Sequence, residues 1–462
     1  MTNPNSNQDP NGVAPRSGAA AASDSSSSDA ANGNNRDLAL MDDLRRRGLY
    51  HQCTNDDALS ELLASGPQSV YIGFDPTADS LHVGSLLQLM MLRRFQHYGH
   101  RPIALVGGAT GMIGDPSGKS KERNLLDAEQ LAANVGGLAD QMKRYLSFEG
   151  DSAATLVNNH DWMAGFSYVE FLRDIGKNFP VNVMMAKDSV KSRLEGESGL
   201  SYTEFSYMLL QAYDFVRLYR DYGCRIQAGG SDQWGNITAG IDLGRRMESA
   251  SLFGLTVPLL TTAEGTKMGK TETGTVWLDA GRTSPYEFYQ YWRNTADADV
   301  MKCLAFLTEI EWEEYESLSE VTRSDPSRRV AQERLAGWLT EFVHGPEGLK
   351  SATAASKQLF SGDLTGKSDE DLESMLGDVP TGQLPRTELD GDGLWVVAAM
   401  VATGMWKSNG EARREIKGGG VSIGGQKVGE DSLRLSTEHL TSESIMVIRK
   451  GKKKYAVLKF ES

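Results

Sequence analysis

The stretch Tyr71–Ser85, YIGFDPTADSLHVGS, joins a strand-like apolar run to the start of a long helical pattern. The run SVYIGF (69–74) suits a short buried strand, and Asp75-Pro76-Thr77 closes it with turn residues. VGSLLQLMMLRRFQHYG (83–99) follows with the pattern of a helix. A helix N-terminus carries free N–H groups and a positive dipole end, so anions bind there. Gly84 permits close approach to the backbone, and Thr77, His82 and Ser85 can donate hydrogen bonds to phosphate oxygens. The same residues would also serve as plain caps and a surface histidine. The junction alone does not decide between the two.

The strand-then-helix pattern recurs. RPIALVGG (101–108), ATLVNN (154–159), CRIQAGG (224–230) and LTVPLLTT (255–262) are strand-like, with helical patterns between them. Strands alternating with helices predict a doubly wound parallel sheet, an α/β Rossmann-like domain over 37–282. Ligands of such sheets bind outside the carboxyl ends of the strands. Residues 283–376 change to successive helices, beginning SPYEFYQYWRNT (284–295), and predict a helical domain. A Gly/Pro/Asp-rich linker is expected over 377–393, and 394–462 mixes short helices with strands in a small α+β domain.

Composition sets limits. The 462 residues are 39% hydrophobic and 24% charged, as in a soluble globular chain. Residues 1–36 are rich in Ser, Asn, Ala, Gly and Asp, and are expected to be a disordered tail. Asp9, Asp24 and Asp29 in that tail argue against a transit peptide, and no apolar core suggests a signal peptide or a membrane span. Cys53, Cys224 and Cys303 have no metal-ligand spacing, so no metal site is expected, and a reducing cytoplasmic setting is. The net charge of −14 excludes broad non-specific nucleic-acid binding. It is unevenly distributed: 394–462 has twelve Lys and Arg against seven Asp and Glu, a net of +5, leaving −19 elsewhere. A local RNA-binding face fits that asymmetry.

Four further stretches carry chemistry. EGTKMGKTETG (264–274) sets Lys267, Lys270 and Thr271 around a glycine, a clamp for polyphosphate without the spacing of a P-loop. GGATGMIGDPSGKSKER (107–123) puts Asp115 near the cations Lys119, Lys121 and Arg123. SYMLLQAYDF (206–215) places Tyr207, Gln211 and Asp214 on one helical face, where a purely apolar core face would not choose Gln and Asp. QAGGSDQWGN (227–236) follows a strand with Gly230, Asp232 and Gln233, and Asp232 suits a ribose hydroxyl.

Together these stretches resemble the bacterial-type tyrosyl-tRNA synthetases of class I, from about Asp37 to the C-terminus. The family's signatures, often written HIGH and KMSKS, stand here as HVGS (82–85) and KMGKT (267–271). The resemblance implies a two-step enzyme that activates L-tyrosine with ATP, carrying Mg²⁺, and passes it to tRNA(Tyr). It assigns Tyr71 and Asp214 to the substrate's phenolic hydroxyl, and Asp115, Tyr207 and Gln211 to its α-ammonium. Gln233 would lie near the carboxylate and α-phosphate. Gly230 and Asp232 would meet the ribose, and Gly73, Asp75, Gly84 and Ser85 would complete the nucleotide contacts. Thr77 and His82 would face the γ-phosphate, and Lys119, Arg123, Lys267, Lys270 and Thr271 the departing pyrophosphate. The family implies a homodimer with tRNA crossing between subunits. The C-terminal part resembles a small RNA-binding domain, with Arg413, Arg414, Lys417, Lys452, Lys453 and Lys454 as its tRNA contacts. Two residues depart from the family pattern: Ser85 replaces the signature's last His, and Ile72 stands where Cys is common. Tryptophan activation and a non-catalytic RNA-binding paralogue are the rival readings. Tyr71 with Asp214 argues against the first, and retention of His82, Asp115, Asp214 and the two loop lysines against the second.

Overall fold

The computed structural model describes residues 39–117, 127–196, 199–271, 274–361, 364, 366–376, 379–451 and 454–461. The expected tail and the candidates Lys119, Arg123, Lys452 and Lys453 lie outside the described residues.

Six strands form the central sheet. They are β1 (Gln52–Cys53), β2 (Ser69–Phe74), β3 (Arg101–Val106), β4 (Thr155–Asn158), β5 (Ile226–Gly230) and β6 (Phe253–Val257). Their order is β1-β6-β5-β2-β3-β4, and all pairs are parallel except β1 with β6. The chain winds one way through β2, β3 and β4, then returns to start β5 beside β2. The switch point is therefore between β2 and β5, and a ligand crevice opens beyond their carboxyl ends. Residues 75–77 and 231–233 follow those two strands.

The pleat of β2 sorts its side chains. Val70, Ile72 and Phe74 join the large core on one face, while Tyr71 packs with Phe215, Leu218 and Cys224 on the other. Helix α1 (Val83–His97) packs its apolar stripe into the large core. The helices α2 (Ala128–Tyr145), α3 (Tyr202–Tyr222) and α4 (Trp234–Glu248) complete the layers. Asp127 caps α2 and Ser201 caps α3, each accepting a backbone N–H from the first turn.

The helical region does not have a core of its own. Phe288, Trp292, Leu304, Leu335 and Leu339 share one buried cluster with Leu44, Leu59 and Leu86. A polar pin crosses the same seam. Asp43 accepts from Arg47 at 2.9 Å and from Arg94 at 2.9 Å, and the two guanidiniums also donate to the carbonyls of Ile310 and Thr308.

The C-terminal part has a separate core around Val397, Met400, Trp406, Ile448 and Leu458. Its five-stranded sheet includes Thr381–Pro385, paired parallel to Lys454–Glu461. The expected plain linker over 377–393 is thus corrected: it contributes an edge strand. Its glycine and proline read as turn residues for other reasons. A side chain at Gly382 would meet the Ala402 carbonyl at 2.3 Å, and Pro385 ends an edge strand, where no N–H is needed.

Asp43→Ala leaves two buried guanidiniums facing each other. Removing one partner of a buried pair costs about 3–5 kcal/mol. A thermal melt followed by far-UV circular dichroism is expected to show an earlier transition that takes the sheet and the helical region together. An unchanged midpoint would contradict this.

Candidate active site

The crevice beyond β2 and β5 gathers most of the predicted residues. Asp214 lies on α3 and is buried, 1% exposed. Its Oδ1 accepts from the Trp162 indole N–H at 2.8 Å, and its Oδ2 from the Asn159 amide at 3.0 Å. Burial raises its carboxyl to about 7, against the lowering effect of those two donors. Beside it stands Tyr71, also 1% exposed, with its ring edge-on to Phe215 at 5.2 Å. The Tyr71 hydroxyl has no hydrogen-bond partner among the described residues. Burial, with the Asp214 charge, pushes it well above the ordinary phenol value. A buried hydroxyl without a partner carries a desolvation cost of about 1–3 kcal/mol, which a ligand could offset.

A hydrogen-bond chain runs from this pair to the β2 turn. Asn159 also donates to Thr110 Oγ1 at 3.1 Å, Thr110 donates to Asp75 Oδ1 at 2.8 Å, and the Tyr207 hydroxyl donates to Asp75 Oδ2 at 2.9 Å. A second group lies across the crevice. Gln233 donates to Asp115 Oδ2 at 2.7 Å, and Asn236 and Gln211 both donate to Gln233 Oε1, at 3.2 and 3.4 Å. The Gln211 amide oxygen is buried with no partner among the described residues. Tyr71, Asp214 and Gln211 therefore offer polar atoms to a common space, with Gly73 exposed on the Tyr71 face of β2.

The helix start has no side-chain cap: His82 is the N-cap of α1 but makes none, and the first turn has no acidic residue. Gly84 makes room for the imidazole as it stands: a Cβ there would lie 2.7 Å from His82 Cε1, and the ring would have to shift. Ser85 Oγ is 3.5 Å from His82 Nδ1, and Thr77 is exposed at the lip. The KMGKT segment packs directly on this turn. Gly269 adopts φ +94°, and a Cβ on it would meet Val83 Cβ at 3.1 Å. The backbone ties both signatures to Val276, whose N–H donates to Gly269 and whose carbonyl accepts from Val83. Met268 is half-buried against the large core, Lys270 is exposed, and Lys267 Nζ lies 3.5 Å from Asp232 Oδ2.

A profile described as tRNA synthetases class I (W and Y) matches residues 64–361, and the Tyrosine–tRNA ligase SYY-like C-terminal domain matches 371–458. The chain is 61% identical to the tyrosine–tRNA ligase of Rhodopirellula baltica over 428 residues, 93% of this chain and 98% of that one. It is 48% identical to that of Geobacillus stearothermophilus over 430 residues, 92% of this chain and all of that one. A crystal structure of a C-terminally truncated mitochondrial tyrosyl-tRNA synthetase from Aspergillus nidulans superposes with a TM-score of 0.63 at 32% identity, covering 70% of this chain and 94% of that one. The chain belongs to the tyrosine–tRNA ligases of class I. It is an aminoacyl-tRNA synthetase, and the α/β fold with a small C-terminal domain is that of the family.

Among tyrosine–tRNA ligase candidates in this sequence, those of α3 and of both strand ends converge on one crevice. Asn159, Trp162 and Thr110, which hold Asp214 and Asp75, went unassigned in the sequence. Asn159 directly follows β4, and a polar pair at a strand's carboxyl end was the available signal. In the C-terminal part, Arg414, Lys417 and Lys454 are exposed. Arg413 is exposed too, but sits 3.5 Å from Asp431 and over the Trp395 ring at 5.1 Å.

The Asp214 environment sets a pH dependence. With a carboxyl at about 7, against 3.8 when unperturbed, the folded chain binds more protons than the unfolded chain in between. Stability contributed at this site therefore falls as pH rises through that window. Comparing melts at about pH 5 and about pH 8, the wild type is expected to lose more than Asp214→Asn does. Equal losses would contradict the buried carboxyl.

Proposed function

We propose that the crevice is where L-tyrosine is activated by ATP before transfer to tRNA(Tyr). The observation that carries this reading is the partnerless Tyr71 hydroxyl beside the held Asp214 carboxylate, both inside the protein. A phenolic hydroxyl accepts from Tyr71 and donates to Asp214. Tryptophan and phenylalanine leave one or both unpaired. The α-ammonium is met by Asp115, Tyr207 and the free amide oxygen of Gln211.

The tyrosine carboxylate is already a nucleophile and needs no general base. It attacks the α-phosphate in line, and pyrophosphate leaves, so the protein's part is positioning and charge stabilisation. Gln233 steers the carboxylate and α-phosphate. Gly73, Asp75 and Gly230 line the nucleotide's path, with Asp232 on the ribose. The Lys267–Asp232 pair supports this, because a ribose taking Asp232 frees Lys267 to turn to phosphate. The uncapped start of α1, with Thr77, His82, Gly84 and Ser85, receives the distal phosphates. Lys270 and Thr271, with Lys119 and Arg123, neutralise the leaving pyrophosphate. Mg²⁺ carried with ATP would supply charge neutralisation at the triphosphate. The C-terminal basic residues Arg413, Arg414, Lys417 and Lys452 to Lys454 position tRNA through its phosphates. No described helix is long and apolar enough to cross a membrane. A cytoplasmic setting fits the three free cysteines.

A homodimer is supported by an exposed apolar surface. Tyr168, Val169, Val181, Met185, Leu194 and Tyr202 are all exposed, Val169 by 71%. They come from the short helices that follow β4 and from the first residue of α3, and exposed apolar side chains of this size suit a contact face.

ATP–pyrophosphate exchange without tRNA tests the reading. Tyrosine is expected to drive exchange, and phenylalanine and tryptophan are not. Lys270→Ala is expected to slow exchange on the order of 100-fold while leaving the tyrosine Kd unchanged. Undiminished exchange in that variant would remove Lys270 from the phosphate site.

A further inference from the structure

His82 has a neighbour that no phosphate reading accounts for. The Trp277 ring meets its imidazole edge-on, with centroids 6.0 Å apart and planes at 62°. Their backbones also form an antiparallel bridge. Trp277 is itself gripped from outside. The Arg282 guanidinium lies over the indole at 3.8 Å from its centroid. Arg282 then pairs with Asp79 at 2.7 Å, and Asp79 belongs to the turn that carries Thr77 and His82. Asp79, Arg282, Trp277 and His82 thus form a closed clasp between the β2–α1 turn and the segment that follows KMGKT.

Three features argue that the clasp serves the reaction rather than stability. The Arg282–Asp79 pair is exposed, at 38% and 59% of the side chains, and such pairs stabilise little. The residues behind it are rigid: the Trp277 N–H donates to Thr283 Oγ1 at 3.0 Å, and the Gly281 N–H to Asp279 Oδ1 at 2.9 Å. The imidazole is enclosed on its other side by Gly84, which leaves no room for a Cβ, and by Ser85 Oγ. The indole supplies a second wall for the ring. Arg282 also balances the Asp79 carboxylate, which would otherwise repel a polyphosphate at this lip.

We infer that Trp277, held by Arg282 and Asp79, is a positioning residue that fixes the His82 imidazole for the triphosphate and ties it to the KMGKT segment. This rests on the proposed phosphate site at the start of α1. Displacing a donor by a full ångström can cost ~100-fold in rate, and partial loosening should cost less.

The test is a double-mutant cycle on ATP–pyrophosphate exchange with the full chain. Trp277→Leu is expected to lower kcat by roughly 10-fold, with the tyrosine Kd and the melting midpoint unchanged. Trp277→Phe, which keeps an edge for the imidazole, is expected to retain most of the rate. In a His82→Ala background, Trp277→Leu is expected to cost less than about twofold, because its effect passes through His82. Arg282→Ala is expected to raise the KM for ATP, and Asp79→Asn to restore it. If His82→Ala slows exchange and Trp277→Leu adds its full cost to it, the clasp is overturned while the phosphate site stands. If His82→Ala is silent, the phosphate site fails and the clasp with it.

Discussion

A carboxylate buried beside a phenol that lacks a partner is the constraint around which the site is built. Asp214 would not stay poised inside the protein without the indole of Trp162 and the amide of Asn159. These two donors occupy one lone pair on each oxygen and leave the other side free. Tyr71 does not take that side: its hydroxyl has no hydrogen-bond partner among the described residues. The folded chain therefore bears an unmet polar cost of about 1–3 kcal/mol at the Tyr71 hydroxyl. A tyrosine side chain meets both groups at once. Isosteric phenylalanine does not, and selectivity follows from the penalty of leaving them unpaired.

The rest of the fold serves to bring phosphate chemistry to that pocket. The order β6-β5-β2-β3-β4 opens a crevice where β2 and β5 part: the two pair with each other only at Val70 and Tyr71 with Ile226 and Gln227, and beyond these β2 pairs with β3 and β5 with β6. The same β2 that holds Tyr71 leads, eight residues after Phe74, to His82 at the uncapped start of α1. On the proposed reading, tyrosine and triphosphate would lie along one strand-turn-helix unit. The KMGKT segment is bound to this unit through Val276 on one side, and its half-buried Met268 packs against the shared core on the other.

Much of this was legible in the sequence, for identifiable reasons. Tyr207, Gln211 and Asp214 obey helical spacing, so their common face could be read before any coordinates. The HVGS and KMGKT stretches carry their chemistry within five residues each. Asn159 and Trp162 were not legible, because their role comes from β4 lying at the sheet edge opposite α3. The two-residue strand β1 was missed for want of any period, and Thr381–Pro385 because its glycine and proline mimic a turn. The shared core of the sheet and helical regions was also hidden: an apolar helical face does not name the surface it will cover.

The central claim is that Tyr71 and Asp214 await a phenolic hydroxyl. Calorimetric titration of L-tyrosine and L-phenylalanine into the wild type and Tyr71→Phe tests it most directly. The wild type should prefer tyrosine by at least ~100-fold, and Tyr71→Phe should lose roughly 10-fold of that preference, mostly by weaker tyrosine binding. An unchanged ratio in Tyr71→Phe would mean that the buried hydroxyl reads nothing, and the account of this pocket would be wrong.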